Sequence, residues 1–414
     1  MPKVTPFRAI RPAREKADRF CALPYDVYNR SEAKKIVSDN PLSFLAIDRA
    51  ETSFDDSVDT YATEVYFKAK ELLEKRILDN TLIQDEKQCF YIYELTMNGR
   101  SQTGIVACSS IDDYLNNVIK KHENTREDKE IDRINHVDIT NAHTGPIFLV
   151  YRARKELKDI VNIYKKEENL LYDFTSDDGI RHRAFIINNE ETIKRIEKIF
   201  ASIPCTYIAD GHHRCASAVK VGLKRRKENP SYTGEEGFNR FLSVLFPEDE
   251  LYIMPYNRVV KDLNGLTKEE FLEALAAAGF TVRETDKMYE PDKKATFGLY
   301  LDGVWYELGA KDELLSKDPV AGLDVSILQD RVLKPILGIN DPRTDKRIDF
   351  VGGIRGLKEL ERRCHEDMCI AFSMYPTSIK ELLDVADANL LMPPKSTWFE
   401  PKLRSGMFIH SLDD

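Results

Sequence analysis

No apolar run in this sequence approaches the roughly 20 residues that a membrane-spanning helix needs, so membrane insertion through helices is not expected. The stretch from Met1 to Phe20 is charged and lacks the apolar core of an export signal; a cytoplasmic location is expected. The seven cysteines are an odd number with no CxxC pair, which reads as reduced thiols rather than a disulfide framework. Cys364, His365 and Cys369 lack a second cluster and read as structural. An excess of basic charge is also missing. Against 70 acidic side chains there are 61 basic ones, a net charge of −9, which argues against general nucleic-acid binding. No internal repeat or low-complexity linker occurs. Neither a Walker A loop nor the motif set of protein kinases is present, so a phosphate donor would have to be gripped by something else.

What is present is an ordinary globular composition over 414 residues, 42% hydrophobic and 32% charged, enough for two or three domains. Hairpin signals mix with helical periodicity rather than alternating with it, which predicts an α+β fold. A soft boundary near residue 260 separates an N-terminal α+β domain, 1–260, from a smaller C-terminal α/β domain, 261–414. Ser31–Val37 reads as a short helix capped by Ser31, Phe44–Ile47 as an apolar strand ending at Asp48, and Ser57–Leu78 as an amphipathic helix. Asn98-Gly99 joins strands at Cys89–Met97 and Thr103–Ser109. Asp302-Gly303 does the same for Thr296–Tyr300 and Val304–Leu308. Phe241–Phe246 is an apolar strand expected beside the strand at Tyr207–Ala209.

Chemistry concentrates at Thr206–Ala218. Tyr207, Ile208 and Ala209 suit a buried strand, Gly211 permits a sharp bend, and Ala216, Ala218, Val219 and Leu223 space as a helix face. Asp210, His212, His213 and Arg214 therefore fall at a helix N-terminus, where free N–H groups and the positive dipole end favour anions. A guanidinium and two imidazoles there make a cradle for phosphate or carboxylate. The bland alternative is a capping Asp210, a turn Gly211 and surface histidines. Four functional residue types between apolar flanks favour a site. A metal site is the weaker reading, because adjacent histidines point apart.

Three other stretches carry similar residue types. Asp26 lies in a Pro- and Arg-rich N-terminal stretch as a placed carboxylate. Ile119–Lys129 holds His122, Glu123, Thr125 and Arg126, a kit for holding phosphate and moving a proton, balanced evenly against a solvated face. In the tail, Lys395, Ser396, Thr397 and Lys402 form a second set of anion donors, weighed against a Pro-rich strand docked by Trp398 and Phe399.

Pro24-Tyr25-Asp26-Val27, His122-Glu123-Asn124-Thr125, Thr144-Gly145-Pro146, Ala209-Asp210-Gly211-His212-His213-Arg214 and Pro393-Pro394-Lys395-Ser396-Thr397 occur in this order. The series resembles the family known as domain of unknown function 1015. The central motif also resembles the phosphate turn of the ParB and sulfiredoxin superfamily, including its free serine kinases. That resemblance implies a ParB/sulfiredoxin-like N-terminal core and a cytoplasmic kinase. It would pass a phosphoryl group from ATP, ADP or pyrophosphate to a hydroxyl acceptor, foremost free L-serine, giving O-phospho-L-serine for cysteine biosynthesis. Carried onto this chain, Asp210 to Arg214 hold donor phosphates, with Mg2+ at Asp210, and the Pro-rich tail returns to the site. A carboxylate among Asp26, Asp48 and Glu123 serves as base, with Glu123 favoured. Small molecules are the partners, and a homodimer is allowed. The competing reading is a ParB-like protein that senses a nucleotide or phosphate without catalysis. A sulfiredoxin-like enzyme would need Cys215 as nucleophile, and its place inside the helix disfavours that.

Overall fold

The computed structural model describes residues 1–125 and 127–413, and for Asp128 the backbone alone. It is a mixed α+β protein whose contacts divide it into two units. One comprises Met1–Lys121, Thr125–Leu251 and Pro401–Asp414; the other comprises His122–Asn124 and Tyr252–Glu400. The division falls between Leu251 and Tyr252, earlier than the boundary near 260, and the last residues rejoin the first unit.

The first unit is built on a nine-stranded open sheet. Its strands are β1 (Val4–Thr5), β2 (Phe90–Met97), β3 (Arg100–Ser110), β4 (Ile119–Lys120), β5 (Ile147–Tyr151), β6 (Leu170–Thr175), β7 (Arg181–Ile187), β8 (Thr206–Asp210) and β9 (Arg240–Pro247). Across the sheet they run β4-β8-β5-β9-β3-β2-β7-β6, with β1 paired to β3. The strand at 241–246 was expected beside the one at 207–209. Instead β5 lies between β9 and β8, parallel to β9 and antiparallel to β8. Both β5 and β9 are buried along their whole length, and such runs leave pairing order unspecified by periodicity. The β2–β3 hairpin turns at Asn98-Gly99, both at positive φ, as a two-residue turn between twisted strands requires.

Three helices of this unit bear on the site: α1 (Thr63–Leu78), α2 (Glu127–Thr140) and α3 (His212–Glu228). The stretch expected as a strand at Phe44–Ile47 is instead the short helix Leu45–Asp48. Phe44, Leu45, Ala46 and Ile47 are all buried, so no exposed face betrays the period. The helix that ends before Asn40 begins at Arg30, with Asn29 as cap and Glu32 completing a capping box, so the cap lies two residues before the expected Ser31. α1 starts at Thr63 rather than Ser57, because Asp55 and Asp59 accept from the backbone of Ser57 and Tyr61 and hold that stretch in turns, a local competition with helix. Its buried face is Val65, Tyr66, Ala69 and Leu73.

The second unit carries a six-stranded sheet running Phe280–Thr285, Val304–Ala310, Thr296–Leu301, Ile370–Met374, Tyr256–Val260, Ile348–Gly352. Every pairing in it is antiparallel, so the expected α/β domain is corrected to α+β. The Asp302-Gly303 hairpin lies where the turn residues put it. In this unit Asp324 is buried and accepts the Ala295 N–H at 2.9 and 3.1 Å. Burial raises its acid to about 7. A carboxyl raised on folding contributes stability below its unfolded value near 4 and loses it as pH rises through the folded one. Asp324→Asn should therefore gain on the parent in thermal melts as pH rises from about 4 to beyond about 7; a difference in Tm independent of pH would refute this.

Candidate functional site

β8 delivers the turn. Its register against β5 shifts between Ile208 and Asp210, leaving Ala209 as an extra residue, and such a bulge re-aims the side chain that follows. Gly211 then takes φ 92°, a left-handed conformation that a side chain resists. α3 begins at once, fixed by Cys215, Ala218 and Val219 packing into the sheet's core. The N-cap is Gly211, which has no side chain to bond the first turn, and the Asp210 carboxylate accepts from the Gly211 N–H, so an anion already sits at this dipole end.

Two cations meet at the turn. The Arg214 guanidinium lies over Gly211, where a Cβ would come within 3.1 Å of it. It donates to the Pro146 carbonyl at 2.7 Å and to Asp210 at 3.4 Å. Lys402 Nζ stands 3.8 Å from the same carboxylate. Burial works to raise the Asp210 carboxyl, yet Lys402, Arg214 and His212 together hold it well below the usual carboxylate range. Two residues on, Arg404 is buried and bonds Ser176, Asp178 and His182, which anchors this part of the tail. Ser405 reaches Gly145, whose missing side chain lets the loop approach both Ser405 and Arg214.

A polar cavity adjoins the turn within this unit. Thr144 donates to Asp48 at 3.0 Å, and His136 Nε2 lies 3.8 Å from that carboxylate. The Arg133 guanidinium stacks on the Tyr25 ring at 3.8 Å and pairs with Asp132. Burial pushes the Tyr25 hydroxyl up to about 12, against the pull of Arg133. Burial and then Arg133 lower His136, against the pull of Asp48. Sequence reasoning missed Arg133, His136 and His143 as site residues, and had Thr144 only within the Thr144-Gly145-Pro146 motif. The signal was there in α2, where Glu130, Asp132, Arg133 and His136 are buried while Ile131 is exposed. A helix that buries its polar face lines something polar.

The other expected residues are distributed as follows. Asp26 is exposed, in a turn of 3-10 helix. Thr125 bonds Glu130, which Lys220 also holds, and these partners keep the Glu130 carboxyl low against its burial. His212 is buried and His213 half-buried in the first turn of α3. His122 and Glu123 belong to the second unit, where the His122 carbonyl accepts from Met392. Arg126 lies outside the described residues. Lys395 is exposed at φ 57°. Ser396 spends its hydroxyl on the Pro393 carbonyl and its carbonyl on Thr377, and Thr397 is half-buried. Trp398 covers Gly352 and meets Tyr256 edge-on, so this strap is secured by packing. Burial pushes the Cys215 thiol far up, which removes it as a nucleophile.

The protein is thus of the mixed α+β class, with a cationic strand–turn–helix beside a buried polar cavity. The chain belongs to the family described as protein of unknown function DUF1015, whose model matches residues 4–326. No curated protein matches it. Among solved structures, a conserved hypothetical protein from Pyrococcus furiosus is 16% identical, with 74% of this chain and 95% of that one covered and a TM-score of 0.35. A free serine kinase in complex with AMP is 16% identical, with 74% and 91% covered and a TM-score of 0.36. SbnI with a C-terminal truncation, from Staphylococcus aureus, is 11% identical, with 74% and 87% covered and a TM-score of 0.40. Among the described residues no helix is long and apolar enough to cross a membrane.

Proposed function

We propose that the protein is a small-molecule kinase that moves a phosphoryl group from a nucleotide or pyrophosphate to a hydroxyl acceptor, free L-serine giving O-phospho-L-serine. In this reading the first unit is a ParB/sulfiredoxin-like core. The observation that carries the reading is the convergence of Arg214 and Lys402 on Asp210 at the glycine-capped N-terminus of α3. Phosphoryl transfer asks mainly for positioning and charge neutralisation, and this turn supplies both. The acceptor oxygen attacks phosphorus and its proton passes to a carboxylate, the role given to Glu123. The bond from phosphorus to the leaving phosphate oxygen breaks, and Arg214 and Lys402 neutralise the charge that develops there. His212, His213 and Thr125 are proposed to hold phosphate oxygens.

Magnesium accompanies nucleotide donors and prefers carboxylates plus phosphate oxygens. Asp210 is the carboxylate on this turn, and it is already engaged by two cations. The turn does not fit a resident magnesium site, and no step is routed through the ion.

The test is phosphorus NMR on L-serine, L-homoserine and inositol, each with ATP, ADP or pyrophosphate. O-phospho-L-serine is the expected product. A protein that binds a donor by calorimetry yet phosphorylates none of the acceptors would refute the kinase reading in favour of a nucleotide- or phosphate-sensing role.

A further inference from the structure

The cavity beside the turn has a charge that the phosphate-binding role does not use. It has a volume of about 180 Å³ and is bordered by Tyr25, Asp48, Arg49, Glu51, Arg133 and His136. Arg49 and Glu51 pair with each other, as do Arg133 and Asp132. Asp48 is left with the Thr144 hydroxyl and the His136 ring at 3.8 Å. Among the described residues no lysine or arginine pairs directly with the buried Asp48 carboxylate, and a buried charge calls for a partner. A second observation points to a ligand. A narrower neck bounded by Asp48, His136, His143, Thr144 and Arg214 adjoins the cavity. His143 is 5% exposed there, and both its ring nitrogens lack a hydrogen-bond partner among the described residues. Burial of a polar group without a bond is costly, so two unfilled nitrogens mark a place for a polar ligand.

We infer that this cavity binds the ammonium group of the phosphoryl acceptor at Asp48, which makes the acceptor a small compound carrying both an ammonium and a hydroxyl. The inference rests on the kinase reading for the word acceptor; the binding itself does not. The ammonium gives Asp48 a cation in direct contact. The hydroxyl end then lies in the neck, where His143 can bond it and Arg214 forms the wall towards the turn. At the cavity's border Lys129, which bonds the Tyr61 hydroxyl at 3.3 Å, stands ready for a carboxylate. A hydroxy amino acid should therefore bind more tightly than an amino alcohol.

Calorimetry on the parent protein with L-serine, ethanolamine and 3-hydroxypropionate tests this without any variant. Serine should bind best, ethanolamine next, and 3-hydroxypropionate at least about 30-fold more weakly than serine, the scale of a lost buried charge pair. Asp48→Asn, shown by its thermal melt to be folded, should lose about 30-fold or more for serine and ethanolamine and little for 3-hydroxypropionate. Equal binding of serine and 3-hydroxypropionate would overturn the inference even if phosphate is transferred, as would binding of none of the three or unchanged serine affinity in Asp48→Asn. Asp48-dependent binding of serine and ethanolamine with no phosphate transfer supports the inference and refutes only the kinase reading.

Discussion

Replacing Glu123 with glutamine should lower turnover by about two orders of magnitude or more, the usual worth of a general base being roughly 10²–10⁴. Donor affinity should stay within a few-fold of the parent. Glutamine keeps the size and hydrogen-bonding reach of glutamate but cannot take a proton. A hydroxyl acceptor gives up its proton only as the bond to phosphorus forms, so the base adds little to the ground-state complex. The variant should be assayed by donor calorimetry, by product formation under saturating acceptor and by thermal melt. A folded Glu123→Gln that turns over like the parent would return the role to the other two candidates, Asp26 and Asp48, tested next as Asp26→Asn and by the kcat of Asp48→Asn. Asp48→Asn should behave differently, raising KM for the acceptor far more than it lowers kcat.

The sequence made part of this arrangement legible, and the reasons can be read from particular residues. The strand–turn–helix at Thr206–Ala218 was readable because three strong local signals agree: an apolar run, a glycine needed at positive φ, and small residues at helical spacing. Hairpins at Asn98-Gly99 and Asp302-Gly303 were readable for the same reason. The cavity was not. Its helix, α2, exposes Ile131 and buries Glu130, Asp132, Arg133 and His136, so a search for an apolar face passes over it. Asp48 was read as the end of a strand, while Leu45–Asp48 is a fully buried helix, an ambiguity that short apolar runs always carry. The anchoring of the tail by Arg404, two residues from Lys402, is a long-range effect. Its partners Ser176, Asp178 and His182 lie more than two hundred residues earlier, and no local pattern encodes such a contact.

Arg214→Ala should weaken donor binding and turnover together, each by roughly ten- to hundred-fold, because hydrogen bonds to a charged group contribute about 1.5–3 kcal/mol. The guanidinium does two things at once. It holds the Pro146 carbonyl at 2.7 Å, tying the Thr144–Pro146 loop to the turn, and it lies flat over Gly211 beside Asp210. A lysine ammonium keeps the charge but has no planar fork, so it cannot grip the carbonyl and face a phosphate oxygen along two parallel bonds. Arg214→Lys should therefore recover only a small part of the loss, with donor affinity restored more than turnover. Asp210→Asn provides the opposite case. It removes the carboxylate that Arg214 and Lys402 now neutralise, so both cations turn to the donor and its affinity should rise rather than fall. Measured side by side by donor calorimetry and steady-state kinetics, the three variants separate the parts. Parent-like behaviour of Arg214→Lys would show that the turn needs charge alone. A fall in donor affinity in a folded Asp210→Asn would show that the carboxylate itself takes part in holding the donor.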